Sequence, residues 1–301
     1  MIRRSVKFSA ILPVVAILSG CSLSSINHTP VTPNQTIATP HPILLTLPIL
    51  KEGTWSAVGS TVHGVPVTYV ARIDSGKISL LWLNPKLLHF RFIPGTQVPE
   101  HSPVRPIDNA RATWVPKMAA AFNGGFWLKD LHPGGYFYNG KVVKQLVVGQ
   151  AALAVTSSGQ LHVGMWGRDL KLSKDVIAVR ENMPLIIDNY KNITALLSSK
   201  LKRLLHASAV RNRSALSQFA DGSLIYEYGR GVTIEQMALG LLSIHAPTAM
   251  MLDMNGDWPG AFVYFHQGSR VVGVRIHPNI YHNSSMYFTR YKKDFIVALL
   301  K

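Results

Sequence analysis

Three stretches of the chain place hydrogen-bonding or ionisable side chains where a ligand could be handled. The first, Ala121-Phe-Asn-Gly-Gly-Phe-Trp127, runs an apolar strand into Asn123, Gly124 and Gly125. Glycines allow a positive φ there and let backbone N–H groups come close to a ligand. Asn123 can donate and accept at once, and Trp127 offers a face on which a sugar can stack. An ordinary tight turn is the plain alternative. The second stretch, Gly229-Arg230-Gly231-Val-Thr233, opens a helix, where free N–H groups and the positive end of the dipole favour an anion and Arg230 adds charge. Most helix N-termini meet only water.

The third stretch, Ala249-Met-Met-Leu-Asp253-Met-Asn255-Gly-Asp257-Trp258, ends a buried apolar strand in carboxylate, amide, carboxylate and indole. With only 15 acidic residues in the chain, two at one strand end stand out. The spacing is that of the start of a calcium loop. However, Trp258 stands where an EF-hand needs glycine, and Tyr264 where it needs a bidentate glutamate. A calcium or magnesium ion held in another geometry stays open, as does a turn in which Asp and Asn cap their own backbone. No resident cofactor is expected. The chain has no G-x-S-x-G, H-E-x-x-H or P-loop motif, and its twelve histidines include no i,i+4 pair.

The elements that must carry these residues are mostly strands. Runs 65–73 and 77–83 flank Asp74-Ser75-Gly76, runs 151–156 and 160–164 flank Ser157-Ser-Gly159, and runs 213–219 and 223–228 flank Ala220-Asp-Gly222. Each reads as a hairpin. Thr233 with Gln236 forms a capping box, and Ile234, Met237, Ala238, Leu241 and Leu242 line one face of the helix that follows. Leu197, Leu201, Leu204 and Leu205 give a second amphipathic stretch, flanked by Lys200, Lys202 and Arg203 as a solvated face. The expected fold class is α+β: one strand-rich domain of mixed sheets with a few packed helices, spanning residues 49–301.

The order of these pieces resembles the phosphodiester glycosidase family. The pieces are Asn123-Gly124-Gly125-Phe126, Asn182-Met-Pro184-Leu-Ile-Ile-Asp188, Arg213-Ser214-Ala215, Thr233-Ile-Glu-Gln-Met-Ala238, and Leu252-Asp253. Lys293-Asp294-Phe295 looks like the family's terminal Arg-Asp-Phe. No single piece is specific; their order over residues 115–300 is. Many members read Leu-Asp-Gly-Gly-Gly-Ser where this chain has Leu252-Asp253-Met-Asn255-Gly-Asp257-Trp258. The chain here resembles a bacterial branch with Leu-Asp-x-Asn-x-Asp/Glu-Trp and a Gly-Arg-Asp segment, matched by Gly167-Arg168-Asp169. The resemblance implies cleavage of a bond between a sugar anomeric carbon and a phosphodiester. It places Asp253 as the principal carboxylate, with Asp257 or Glu181 as its partner. Asn123, Gly124, Gly125, Trp127, Arg213, Arg230, Thr233 and Asn255 are then expected around the substrate.

The N-terminus reads as an address. Arg3, Arg4 and Lys7 precede an apolar run from Phe8 to Leu18, too short to span a bilayer of roughly 30 Å. Leu18-Ser19-Gly20-Cys21 resembles the bacterial lipobox, in which the cysteine is lipidated, and Cys21 is the only cysteine in the chain. A disulfide framework and a cysteine-based zinc site are thereby excluded. Residues 1–20 are expected to be a signal peptide, and residues 21–48, rich in Pro, Thr and Ser, an extended tether to the lipid. The protein is then exported and held at the cell envelope.

Length and composition set the outer bounds. The 301 residues, 47% hydrophobic and 15% charged, exclude a disordered tail and a long solvated coiled coil. A net charge of +16, or +13 once Arg3, Arg4 and Lys7 are removed, favours anionic partners. An anionic glycan or sugar phosphodiester fits. A non-catalytic envelope lipoprotein that binds such a glycan through the same cleft is the second reading. Nucleic acid is disfavoured by export and by the lack of interleaved basic and aromatic runs.

Overall fold

The computed structural model describes residues 45–97, 112–127 and 134–301, which belong to one compact unit. The expected signal peptide, Cys21 and the expected tether up to residue 44 lie outside the described residues. Among those described, no helix is long and apolar enough to cross a membrane.

The architecture is mostly β. An eight-stranded sheet, two five-stranded sheets and a two-stranded pair account for the strands. The described α-helices are only Ser199–Leu204 and Ile234–Leu242. "A few packed helices" therefore overstates the helical share of the expected fold. All three predicted hairpins form, with Ile73 opposite Ile78, Val155 opposite Leu161, and Gln218 opposite Leu224. The capping box forms too: Gln236 N–H donates to Thr233 Oγ1 at 3.1 Å, and Thr233 N–H donates to Gln236 Oε1 at 2.8 Å. The second helix keeps one turn and a half behind its Ser198 cap, with Lys200, Lys202 and Arg203 exposed.

Period-two alternation divides the core across the eight-stranded sheet. Leu81 and Leu83 of strand Ile78–Leu83, with Tyr226, Met250 and Leu252, face the other sheets and pack on Phe90, Phe122, Phe262 and Phe295. Ile78, Leu80 and Trp82 of the same strand face the opposite way. They meet Ile225, Met251 and the Met237 and Leu241 face of helix Ile234–Leu242. Each such side chain contributes about 1.5–3 kcal/mol when withdrawn from water. Leu45 and Leu47 pack on this second cluster, and Trp55 donates its indole N–H to Pro48 O at 2.8 Å.

Strand ends from all three large sheets meet at one place. Met118–Asn123 pairs with Phe295–Leu300 so that Asn123 lies opposite Phe295. Val176–Glu181 ends alongside, and Thr248–Met254 arrives from the eight-stranded sheet.

Candidate active site

Asn123 closes its strand almost fully buried, 4% exposed, with every hydrogen-bonding position filled. Its Oδ1 accepts from Tyr226 Oη–H at 2.7 Å and from Gly260 N–H at 3.0 Å. Its Nδ2 donates to Gly124 O at 2.8 Å and to Ser214 Oγ at 3.0 Å. Ser214 Oγ also accepts from Asp253 N–H at 3.2 Å. Asn123 therefore ties two sheets together and presents no free donor to a ligand.

Gly124 and Gly125 are required for close approach. Neither has a positive φ. A Cβ on Gly124 would come 2.5 Å from Asp294 Oδ2, and one on Gly125 would come 2.8 Å from Asn182 Oδ1. The expected free N–H groups are taken by the protein. Gly124 N–H donates to Asp294 O at 2.9 Å, Gly125 N–H to Asp294 Oδ2 at 3.4 Å, and Phe126 N–H to Asn182 Oδ1 at 3.0 Å. Arg180, also buried, donates Nε–H to Asp294 Oδ2 at 3.1 Å and Nη1–H to Glu181 O at 2.7 Å. Asp294 Oδ1 is buried and has no partner among the described residues.

Asp253 reaches this junction through a β-bulge. Arg213 lies opposite Met254 and Ala215 opposite Met251, so three steps along one strand match two along the other. The extra residue turns Asp253 toward Ser214, whereas strict alternation would put it on the helix side. Its Oδ2 accepts from Lys293 Nζ in a buried ion pair, and its Oδ1 accepts from Met254 N–H at 2.8 Å. Burial lifts the carboxyl to about 6, with Lys293 pulling it down and Asp294 pushing it further up. Lys293 Nζ also lies 4.9 Å from the Trp258 ring centroid, and Lys292 Nζ lies 4.5 Å from it. The site thus holds two carboxylates, Asp253 and Asp294, each with its own cation, and an indole flanked by two lysines.

The remaining predicted residues lie elsewhere or serve other groups. Glu181 accepts from Gly135 N–H at 2.6 Å and Val147 N–H at 2.8 Å; burial raises its carboxyl, and those amides oppose the rise. Arg213 points away from Asp253, since it is the neighbouring Ser214 that faces inward. It donates to the carbonyls of Val232, Leu205, His206 and Ala209 at 2.7–3.2 Å, and burial lowers its guanidinium to about 10. Arg230 is exposed, and its charge acts on Tyr228 and His277. Thr233 caps its helix, and the next amide, Ile234 N–H, donates to Ala207 O at 3.3 Å.

Asn255 and Asp257 are exposed, and Asp257 acts on His282 and Tyr291. Asp253, Asn255 and Asp257 therefore diverge and do not form a cation cradle. Among the described residues no cluster of three His, Cys, Asp or Glu could hold a metal. Trp127 is half-buried at the edge of the described segment. The sequence reading did not assign Arg180, Asn182, Ser214, Tyr226, Lys292, Lys293 or Asp294 to the site. The family-like pieces Asn182–Asp188, Arg213-Ser214-Ala215 and Lys293-Asp294-Phe295 were the available pointers to Asn182, Ser214, Lys293 and Asp294.

Residues 116–254 match the sequence profile of the phosphodiester glycosidase family, a span that includes Asn123, Arg180, Ser214 and Asp253. A sequence search among curated proteins found no match. The fold is similar to the catalytic domain of zebrafish N-acetylglucosamine-1-phosphodiester α-N-acetylglucosaminidase, solved in a form auto-inhibited by its pro-peptide. That match has a TM-score of 0.50 and 16% identity over 83% of this chain and 88% of that one. A hypothetical protein from Synechocystis is matched at a TM-score of 0.40 and 12% identity, over 83% of this chain and 62% of that one. The zebrafish match supports a shared fold, and residues 116–254 carry the similarity to the phosphodiester glycosidase family.

Proposed function

We propose that this protein is an exported, lipid-anchored hydrolase that cleaves a sugar-1-phosphodiester in an envelope or extracellular glycan. The observation that carries the reading is the pair formed by Lys293 with Asp253, which lies at the end of the family-matched segment, with Asp294 beside it. With its carboxyl near 6, Asp253 is largely ionised at neutral pH and can take a proton from water. Water adds to the anomeric carbon as the carbon–oxygen bond to phosphate breaks. The bonding pair leaves on a phosphomonoester, which needs no general acid. Lys293 and Lys292, both beside Trp258, would then meet the negative charge that grows on the phosphate. Asp253 is 2% exposed, so its surroundings must give way before substrate reaches it. Export and anchoring rest on residues 1–21, where Cys21 completes the lipobox resemblance.

One observation favours the non-catalytic alternative, a lipoprotein that binds anionic glycan. Asp253 and the amides of 124–126 are all engaged by the protein itself. A panel of sugar-1-phosphodiesters, assayed for released reducing sugar with and without Mg²⁺ and Ca²⁺, separates the two. Turnover by wild type that Asp253→Asn loses supports the hydrolase. Glycan binding without turnover by either protein supports the binding module. Incorporation of labelled palmitate in cells, lost in Cys21→Ser, tests the anchor.

A further inference from the structure

Glu227 lies midway along strand Leu224–Val232, opposite Leu80 and two residues on from Ile225, on the face turned away from Asp253. Both of its carboxyl oxygens are fully buried, and neither has a hydrogen-bond partner among the described residues. Native interiors keep few such groups, because withdrawing a polar group from water without a partner is unfavourable. Burial holds this carboxyl well above the usual carboxylate range, and a cation brought against it favours the ionised form.

Helix Ile234–Leu242 makes room for it at one position. A Cβ on Gly240 would come 2.7 Å from Glu227 Oε1 and 2.9 Å from Ile78 Cδ1. Gly240 and Ile78 also form part of the wall of a cavity of about 350 Å³. Ile73 and Leu239 extend its apolar wall, and Glu52 and Asp74 stand against Lys51 among its charged lining. The carboxyl thus lies just behind the cavity wall at the one wall position without a side chain, and the free end of Ile78 must turn aside before a ligand can reach it. In a chain of net charge +16, this spot is locally acidic.

We propose that this cavity is a binding site for a small organic ammonium ion, whose head inserts between Gly240 and Ile78 to meet Glu227 while its apolar stem lies along Ile73 and Leu239. An ammonium group has three donors for the two orphaned oxygens, whereas an alcohol has one. An anion would meet the carboxylates of Glu52 and Asp74, with Lys51 alone among the lining residues to offset them. The cavity volume suits a ligand of a few heavy atoms, and apolar wall residues joined by a small number of polar groups are the usual make-up of such sites. The site is independent of the hydrolase reading, since it lies across the sheet from Asp253.

The test uses n-butylammonium chloride, butan-1-ol and sodium butyrate as probes of the full chain by saturation-transfer NMR. Wild type should bind the ammonium ion about tenfold more tightly than the alcohol, and the carboxylate not at all. Glu227→Gln, which keeps shape and volume, should bring the ammonium ion down to the level of the alcohol. Gly240→Ala should abolish binding of both. Asp74→Asn, at the cavity and free of any core role, should weaken the ammonium ion about two- to fivefold. Asp253→Asn should bind as wild type does. Equal ammonium binding by wild type and Glu227→Gln would overturn the proposal; so would no ammonium binding by wild type, which would leave a buried water as the carboxyl's partner. If Glu227→Gln fails to fold, unchanged binding in both Asp74→Asn and Gly240→Ala would overturn it equally.

Discussion

Lys293 and Asp253 face each other where two sheets meet, their side chains 5% and 3% exposed. A pair so withdrawn from water holds only as a pair: removing one partner strands the other charge, at a cost of about 3–5 kcal/mol. Asp253→Asn should therefore lose activity by about 10²–10⁴-fold. It should lose stability as well, toward the lower end of that range because Asn can still accept from Met254 N–H. Lys293→Met should destabilise similarly. The double variant Asp253→Asn/Lys293→Met should melt higher than either single variant while staying inactive, since replacing both charges removes the stranded one. Thermal melts alongside initial rates for the four proteins check this.

The same carboxyl sets a pH dependence with a definite sign. Its value rises from 3.8 to about 6 on folding, so between those values the folded protein holds a proton that the unfolded chain has released. Stability from this group is thus present below pH 3.8 and lost as pH climbs through 6, to an extent of about 3 kcal/mol. Urea midpoints from pH 4 to 7 should show wild type losing stability relative to Asp253→Asn over that window. In the proposed reaction activity runs the other way, since an ionised carboxylate is needed to take the proton from water: kcat/KM should rise through about pH 6. A limb falling through pH 6 would instead make Asp253 the acid.

Much of this domain was legible because its signals are local. The hairpin at Asp74-Ser75-Gly76 and the Thr233–Gln236 box need only neighbours in sequence to form, and both did. The site was less legible because strand alternation and a bulge decide which of two adjacent residues points inward. Arg213 carries the charge, yet Ser214 faces Asp253; Glu181 carries the carboxylate, yet Arg180 reaches Asp294. The extra residue opposite Ser214 that redirects Asp253 leaves no mark in sequence periodicity. Asp294 was within reach, since Lys293-Asp294-Phe295 looked like a family signature, but nothing in one dimension says that it meets Gly124.

Gly124 should be intolerant of any side chain. A methyl group there would press on the carboxylate of Asp294 and on its backbone O, 2.8 Å away. Overpacking of this kind costs about 1–3 kcal/mol. Gly124→Ala should shift the denaturant midpoint accordingly and reduce kcat more than it raises KM, because the displaced Asp294 lies beside Asp253. A normal kcat with a lowered midpoint would show that Asp294 only holds the loop.

Arg213 should matter for stability and little for substrate. Its guanidinium reaches carbonyls of residues 205, 206, 209 and 232, fastening the turn after helix Ser199–Leu204 to the end of strand Leu224–Val232. Lys at this position cannot reproduce that fork. Arg213→Lys should lose about 2–4 kcal/mol, the worth of one or two charged hydrogen bonds, with KM unchanged for the folded fraction. Equilibrium unfolding and steady-state kinetics on the same preparation would check it; a raised KM with unchanged stability would return Arg213 to the substrate.

Lys292 is where substrate charge should be read. Unlike Lys293 it is partly exposed, and it sits 4.5 Å from the Trp258 ring, an arrangement worth only about 0.5–1 kcal/mol to the free protein. Lys292→Ala should therefore leave stability within about 0.5 kcal/mol of wild type. A phosphate bound beside Trp258 would lose a charged donor, which predicts a KM about five- to tenfold higher on a sugar-1-phosphodiester. On a neutral glycoside of the same sugar there is no charge to read, so wild type and Lys292→Ala should behave alike. Trp258→Ala should depress both substrates, because it removes the surface shared by the two lysines. Equal loss on charged and neutral substrates in Lys292→Ala would mean that the lysine only orders Trp258, and that the phosphate is held elsewhere.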